Sequence, residues 1–109
     1  MVVKVKQTIV NINIRHIMQK AVDENAIIID VRSQEEFRSG HIPMAVNVPL
    51  TEIQNGKINF PRGRTLILYC DSGASSLKAA RILAEYGYRV MNAVGGIWQY
   101  DKELTVSRQ

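Results

Sequence analysis

The sequence predicts an α/β domain in which a central, mostly parallel sheet carries helices on both faces. Short, continuously apolar segments rich in β-branched residues alternate along the chain with segments whose apolar residues recur at helical spacing. Strands that are apolar on both faces are typical of parallel sheets, whose strands are connected by helices. The 109 residues suffice for one such core. We therefore expect one domain over residues 1–109.

The predicted elements of the N-terminal part begin with a short edge strand at residues 8–10. Apolar residues then recur at helical spacing over residues 13–24, which predicts a helix. Residues 26–31 are continuously apolar apart from the aspartate, as expected of a strand that is covered on both faces.

A capping box marks the start of the next predicted helix. The Ser33 hydroxyl can accept the N–H of Glu36 while the Glu36 carboxylate reaches back. Gly40 supplies an early C-terminal stop, so this helix is expected to be short. A further strand is predicted at residues 45–48 and a single helical turn at residues 51–55.

The third buried strand is predicted at residues 65–69 and leads directly into Cys70. The remaining elements are a helix over residues 76–86 ended by Gly87, a last strand at residues 89–91, and a final helix that follows Gly95-Gly96 and carries Trp98 and Leu104. An aromatic residue at helical spacing is more often part of the core than a substrate contact, so Trp98 is expected to be buried.

The composition favours an ordinary soluble globular protein, with 46% hydrophobic and 22% charged residues. The N-terminal segment MVVKVKQTIV has no apolar stretch of the kind that secretory signals carry, and no apolar run is long enough to span a bilayer. We therefore predict a cytoplasmic protein without a membrane partner. The net charge of +4 comes from scattered basic residues, which favours a solvated basic surface over a nucleic-acid site.

A single cysteine excludes an internal disulfide and any Cys-x-x-Cys redox or zinc motif. His16 and His41 are the only other soft ligands, and no metal-ligand spacing links them to Cys70. We predict neither a metal nor a cofactor, so any chemistry of this cysteine is that of a lone nucleophile.

Cys70 is the main candidate for a functional residue, because ligands of parallel sheets bind beyond the carboxyl ends of the strands. The small residues that follow can form a tight loop with inward-pointing N–H groups, and the next helix would add its positive end. A hydroxyl of Ser75 or Ser76 is expected to cap that helix. The alternative is a structural role, since free cysteines are often small buried hydrophobes. The predicted substrate-binding loop consists of Asp71, Ser72, Gly73, Ala74, Ser75 and Ser76.

Several motifs together resemble one known family. They are Ile29-Asp30-Val31-Arg32, Glu36-Phe37, Gly40-His41-Ile42-Pro43, Ala45-Val46-Asn47-Val48-Pro49, the strand–Cys–loop–helix unit at residues 66–86, and Val94-Gly95-Gly96-Ile97-Trp98. In this order they resemble the rhodanese-like domains over residues 12–104. The resemblance implies the three-layer rhodanese fold and a sulfurtransferase that carries sulfane sulfur as a persulfide on Cys70. It also implies a small sulfur donor and a thiol, cyanide or protein acceptor.

Three residues of the first motifs are expected to support the site. Asp30 can accept backbone N–H groups at its strand end, and Arg32 can pair with Glu35 or Glu36. His41 is expected to be an oriented side chain and not a general base, because a thiolate that attacks sulfur needs no base to start the transfer.

The loop departs from the pattern of the family members that use thiosulfate. Those members often carry Arg or Lys in a Cys-Arg-x-Gly-x-Arg loop, whereas Asp71 and Ser75 occupy the basic positions here. The loop is more similar to the neutral one of mercaptopyruvate sulfurtransferases. We therefore expect poor use of dianionic thiosulfate, better use of less charged donors, and a gain in thiosulfate use from Asp71→Arg or Ser75→Arg.

Two other functions are weighed against sulfur transfer. Phosphatases that share the fold use a Cys-x5-Arg loop, and the arginine position here is Ser76. A module that binds a partner or senses redox state without catalysis remains the main alternative, because the loop lacks a cation.

Overall fold

The computed structural model describes residues 8–107. The first seven residues, which include most of the segment predicted not to be a secretory signal, lie outside the described residues. Five strands and four α-helices follow in the order β1 (Val10–Asn13), α1 (Ile17–Asp23), β2 (Ile27–Asp30), α2 (Gln34–Ser39), β3 (Val46–Asn47), α3 (Leu50–Gln54), β4 (Leu66–Tyr69), α4 (Ala74–Glu85) and β5 (Val90–Val94). Two 3-10 turns, Ile14–His16 and Ile97–Gln99, complete the secondary structure of the described part.

All four strand pairs are parallel, and the spatial order of the strands is β1-β5-β4-β2-β3. The strand β4 lies in the middle of the sheet, and all four of its residues are buried. A strand with neighbours on both sides and helices on both faces must be apolar throughout, which is why its sequence reads Leu-Ile-Leu-Tyr. The predicted α/β class with a parallel sheet is confirmed.

Each face of the sheet has its own apolar cluster. One face packs against α3 and α4, with Leu66, Leu68, Ala80 and Leu83 fully buried. The other face packs against the segment of the first 3-10 turn and α1, and its buried residues are Ile12, Ile14, Ile17, Ile28, Ile42, Ile67, Tyr69, Met91 and Ala93. Two helical layers enclosing a sheet give the predicted three-layer arrangement.

The helix α2 starts as predicted. The Ser33 hydroxyl accepts the Glu36 N–H at 3.1 Å, and the Glu36 carboxylate accepts the Ser33 N–H at 3.4 Å. Gly40 is the C-terminal cap of this helix, which is only six residues long. This short helix brings Glu36 close to the carboxyl ends of the strands.

Several predicted boundaries differ from those of the structure. The first strand is Val10–Asn13 and not residues 8–10, because these four residues pair in register with Met91–Val94. The helix predicted over residues 13–24 starts with a 3-10 turn and becomes α-helical at Ile17. The same pairing extends β5 beyond the predicted residues 89–91.

The predicted final helix is reduced to the 3-10 turn Ile97–Gln99, and Leu104 lies outside it. Tyr100 already has an extended backbone. The N–H of Ile97 donates to the carbonyl of Cys70 at 2.9 Å, so this segment is held against the loop after β4. No helix between residues 8 and 107 is long and apolar enough to cross a membrane.

Candidate active site

Cys70 lies directly after β4 and is only 3% exposed. Two backbone N–H groups donate to its sulfur, that of Gly73 at 3.0 Å and that of Ser76 at 3.3 Å. The Ser76 hydroxyl oxygen is 3.4 Å from the same sulfur. The inward-pointing N–H groups agree with the prediction from the loop composition. In general, donors that converge on one atom stabilise negative charge there.

The helix that follows the loop begins at Ala74, with Gly73 as its N-cap at φ 113° and ψ −13°. Neither Ser75 nor Ser76 caps it, so that prediction is wrong. A capping hydroxyl normally accepts the N–H of the second or third helical residue. Here the Cys70 sulfur accepts the N–H of Ser76, the third residue of α4, and thereby takes the place of the capping oxygen.

Ser76 is fully buried behind the sulfur. Its hydroxyl lies 3.1 Å from the carbonyl oxygen of Gly73 and 2.6 Å from Oδ1 of Asn92. Asn92, on β5, was not predicted as a site residue. The available signal was a polar residue between Val90 and Val94 on one face of a strand whose other residues are apolar.

Gly96 is a second residue that the sequence analysis did not assign to the site. Its backbone passes so close to the loop that a Cβ atom would overlap the Asp71 carbonyl group and lie 2.6 Å from the Cys70 carbonyl oxygen. Its φ of 61° also belongs to the left-handed region that favours glycine. The N–H groups of Ile97 and Trp98 donate to the carbonyls of Cys70 and Asp71 at 2.9 and 3.3 Å. The Gly95-Gly96 turn therefore holds the backbone of the Cys70 loop from behind.

Arg32 lies at the mouth of the site, but it does not pair with Glu35 or Glu36 as predicted. Its guanidinium makes a bidentate pair with Asp30, with the shortest contact 2.8 Å, and donates to the Gly40 carbonyl at 2.6 Å. Asp30 is fully buried and also accepts the Arg32 N–H at 2.8 Å, which confirms its predicted role at the strand end. The planar guanidinium fork fits a carboxylate and a carbonyl together, which fixes the side chain.

The remaining contact of Arg32 is with the loop itself. Its Nη1 lies 3.8 Å from Oδ1 of Asp71, whose side chain is 35% exposed. Partial burial and the neighbouring Glu36 carboxylate raise the pKa of Asp71, and Arg32 opposes this rise. For Glu36, burial works against ionisation, but the hydrogen bonds from Ser33 outweigh it and lower the pKa. Glu36 thus holds its charge more firmly than Asp71 does.

A cavity of about 300 Å³ opens beside the sulfur, and its lining contains one cation and two carboxylates. Of the predicted loop, Asp71, Ser72 and Ser75 line this cavity, Gly73 and Ser76 contact the sulfur, and Ala74 does neither. Trp98 also lines it and is 74% exposed, so its predicted place in the core is wrong. The full lining is Val31, Arg32, Ser33, Glu36, Cys70, Asp71, Ser72, Ser75 and Trp98.

His41 is buried away from this lining. Its ring stacks on Phe37 with centroids 3.7 Å apart, and its Nδ1 lies 2.8 Å from the Phe37 carbonyl oxygen. Its backbone exchanges hydrogen bonds of 2.8 and 2.7 Å with Thr105. These contacts agree with the prediction of an oriented, supporting side chain. Within residues 8–107, no cluster of three His, Cys, Asp or Glu side chains could hold a metal ion.

Comparisons with known proteins agree with these features. The family model of the rhodanese-like domain matches residues 15–103. A sulfurtransferase from Allochromatium vinosum is 37% identical over 75 residues, which cover 68% of this chain and 70% of that protein. The thiosulfate sulfurtransferase PspE of Escherichia coli is 34% identical over 71 residues, covering 63% of this chain and 68% of PspE.

A solved structure of a rhodanese-like domain protein shares the fold. A rhodanese-like domain protein from Staphylococcus aureus superposes with a TM-score of 0.78 at 26% identity, covering 89% of this chain and 97% of the other. The matched residues 15–103 lie within the range 12–104 over which the motifs suggested the resemblance.

Proposed function

Because this chain belongs to the rhodanese-like domain family, we propose that it is a sulfurtransferase in which Cys70 carries sulfane sulfur as a persulfide. One observation carries the proposal: the sulfur of the chain's only cysteine accepts two backbone N–H groups and adjoins an open cavity. The same donors that favour a thiolate also favour the persulfide anion that replaces it. The relatives named as sulfurtransferases support this assignment.

The transfer takes two displacements on sulfur. In the first, the Cys70 thiolate attacks the outer sulfur of a donor R–S–S⁻, a new S–S bond forms, and the donor's S–S bond breaks. The electron pair of that bond leaves with RS⁻, which takes a proton from water. In the second, a thiolate or cyanide acceptor attacks the outer sulfur of Cys70–S–S⁻ and the Cys70 thiolate leaves. Neither step requires an oxidant or a base on the protein.

The charges at the cavity mouth support a preference for donors with a low charge. Arg32 is the one cation of the lining, and its guanidinium is already engaged by Asp30 and faces Asp71. Glu36 and Asp71 add two carboxylates. A dianion such as thiosulfate meets net repulsion there, whereas a persulfide, a polysulfide or mercaptopyruvate carries less charge on the reacting group.

The test is sulfur loading followed by intact mass spectrometry. Wild-type protein incubated with polysulfide or glutathione persulfide is expected to gain one sulfur atom that cyanide removes as thiocyanate. Cys70→Ser and Cys70→Ala are the matched variants and should gain none. Equal loading of Cys70→Ser would contradict the proposal, and so would a wild-type protein that no donor loads.

The same experiment separates the alternatives. A binding or redox-sensing module would fail to turn over sulfur with any acceptor, although its cysteine could still be oxidised. A phosphatase would require a phosphate-clamping arginine, and the corresponding position is the buried Ser76. Thiosulfate, mercaptopyruvate, polysulfide and glutathione persulfide form the donor panel, and PspE is the reference enzyme for thiosulfate.

A further inference from the structure

The hydrogen bonds around the Ser76 hydroxyl cannot all be made at once. A hydroxyl has one proton to donate and two lone pairs to accept with. Three atoms that can accept its proton lie within reach: Oδ1 of Asn92 at 2.6 Å, the Gly73 carbonyl oxygen at 3.1 Å, and the Cys70 sulfur at 3.4 Å. The direction of this one proton therefore depends on the protonation state of the sulfur.

With Cys70 as a thiol, each group can donate its proton to the next one, from Cys70 through Ser76 to Asn92. The thiol S–H donates to the Ser76 oxygen, and the Ser76 hydroxyl donates to the Asn92 carbonyl oxygen. With Cys70 as a thiolate or a persulfide, the sulfur can only accept. The favourable direction for the Ser76 proton is then toward the sulfur, which leaves two acceptor oxygens facing each other 2.6 Å apart.

Asn92 can remove that conflict by turning its side-chain amide. A carboxamide has nearly the same shape after a half turn, which exchanges Oδ1 and Nδ2. In the part of the chain that the structure describes, Nδ2 makes no hydrogen bond, so the turn breaks only the bond to Ser76. After the turn, Nδ2 donates to the Ser76 oxygen and the Ser76 proton is aimed at the sulfur.

The position of Asn92 agrees with a role in directing the Ser76 proton. The residue is 4% exposed and stands in register with Leu68, which belongs to the apolar cluster on the side of α3 and α4. Burying the amide oxygen there is unfavourable unless it accepts a hydrogen bond. Its hydrogen bond is with the Ser76 hydroxyl, which also contacts the Cys70 sulfur.

We propose that Asn92 is a positioning residue that turns its amide to donate to Ser76 when Cys70 is anionic, and thereby directs the Ser76 proton to the sulfur. The proposal rests on the proposed function only in that the anionic sulfur is the working form. It assigns Asn92 an effect on Cys70 that passes through Ser76.

The test measures the rate at which iodoacetamide alkylates Cys70 as a function of pH, because only the thiolate reacts. Asn92→Leu removes both donor and acceptor at similar size and is expected to raise the pH midpoint by about half a unit, a threefold loss of rate below it. Asn92→Asp, an acceptor that draws the Ser76 proton away, is expected to raise it by about one unit or more. Asn11→Asp is the control, since Asn11 is exposed on the adjacent strand in register with Asn92.

The decisive comparison repeats Asn92→Leu in a protein that also carries Ser76→Ala. If Asn92 acts through Ser76, Asn92→Leu causes no further shift once the hydroxyl is gone. An unchanged midpoint in Asn92→Leu, or equal shifts with and without Ser76, would overturn the proposal. Alkylation needs no sulfur donor, so this outcome is independent of whether the protein transfers sulfur.

A measurement on the unmutated side chain covers the case in which a variant at position 92 does not fold. The NH2 signals of Asn92 in ¹⁵N-labelled protein should move with the same pH midpoint as alkylation, and should lose this response in Ser76→Ala. Signals that do not respond to the ionisation of Cys70 would refute the turn of the amide.

Discussion

Two sets of residues flank the Cys70 sulfur, and they differ in burial and in charge. The inner wall consists of Gly73, Ser76 and Asn92, which present neutral donors and acceptors, with both side chains buried. The rim consists of Arg32, Glu36, Asp71 and Trp98, which line the open cavity and carry all of its charges. Fixed dipoles in a buried wall act on the sulfur whatever donor arrives, whereas charges at an open rim act on the donor.

For the proposed sulfur transfer, this division predicts that loading rate and donor choice can be changed separately. Substitutions in the wall are expected to slow every donor by the same factor. Substitutions in the rim are expected to change the ratio between donors. Thiosulfate and the methanethiosulfonate anion form a suitable donor pair, because a methyl group replaces one charged oxygen.

The largest effect is expected for the turn that supports both regions from behind. Gly96→Ala would force a Cβ atom into the Asp71 carbonyl group at a φ of 61°, so the loop must move. We expect the free energy of unfolding to fall by about 3 kcal/mol or more and sulfur loading to fail with all donors. Urea denaturation and intact mass measure the two effects.

Gly63→Ala is the matched control for that variant. Gly63 has a φ of 84° but open space around its Cβ position, so only backbone strain remains, about 1 kcal/mol. If Gly96→Ala is no more destabilising than Gly63→Ala, the close approach to the loop does not matter.

The second-largest effect is expected for a substitution in the inner wall alone. Ser76→Ala removes the hydroxyl near the sulfur, and we expect kcat/KM to fall about tenfold, or about 1.4 kcal/mol, for both donors of the pair. Ser75→Ala is the control, because it removes a hydroxyl from the adjacent position. Ser75 lines the cavity, whereas Ser76 contacts the sulfur. A loss that differs between thiosulfate and methanethiosulfonate would contradict the division into wall and rim.

A smaller effect, on the donor ratio, is expected at the rim. Asp71→Asn removes one carboxylate from the cavity, which should raise kcat/KM for thiosulfate about fivefold relative to methanethiosulfonate. The gain should shrink at high ionic strength. Glu35→Gln also removes one carboxylate, from the first turn of α2 and outside the lining, and serves as the control.

Asp71→Asn is a cleaner test than the Asp71→Arg variant suggested by the sequence. An arginine at this position would place a second guanidinium beside Arg32, where the carboxylate now lies at 3.8 Å. Ser75→Arg keeps that contact and should also favour thiosulfate. Thiosulfate use by the wild-type protein as efficient as that of methanethiosulfonate would show that the rim charge has no influence.

The donor ratio should also depend on pH through Asp71. The pKa of this carboxyl is raised by partial burial and by Glu36, so it becomes neutral earlier than an ordinary aspartate as the pH falls. The ratio of thiosulfate to methanethiosulfonate turnover should therefore rise as the pH falls, beginning at a higher pH than the protonation of an ordinary aspartate would give, and stay flat in Asp71→Asn. Both donors require the Cys70 thiolate, so its protonation cancels in the ratio.

The smallest effect is expected for Trp98. Its exposed ring can contact an apolar donor group, so Trp98→Ala should lower kcat/KM for benzenethiosulfonate about threefold relative to methanethiosulfonate. Met44→Ala removes an exposed apolar side chain outside this lining and is the control. An equal loss with both donors would place Trp98 in the support of the loop instead of in donor contact.

Much of the fold follows from the sequence because its signals are local. The capping box at Ser33 and Glu36 and the stop at Gly40 are made by neighbours in the chain, and they appear where predicted. The apolar strand before Cys70 can lie only in the middle of a covered sheet. The position of Cys70 at a strand end follows from the same pattern, while its role as sulfur carrier stays a prediction.

Only the tertiary structure decided which distant residues meet around that cysteine. Asn92 reaches Ser76 because β5 lies beside β4, and Gly96 must lack a side chain because its turn passes behind the loop. Arg32 pairs with Asp30 and Asp71 instead of the glutamates of α2, since burial favours a partner fixed by the strand end. Periodicity and capping report on neighbours along the chain, whereas these contacts join residues that become close only when the parallel strands are side by side.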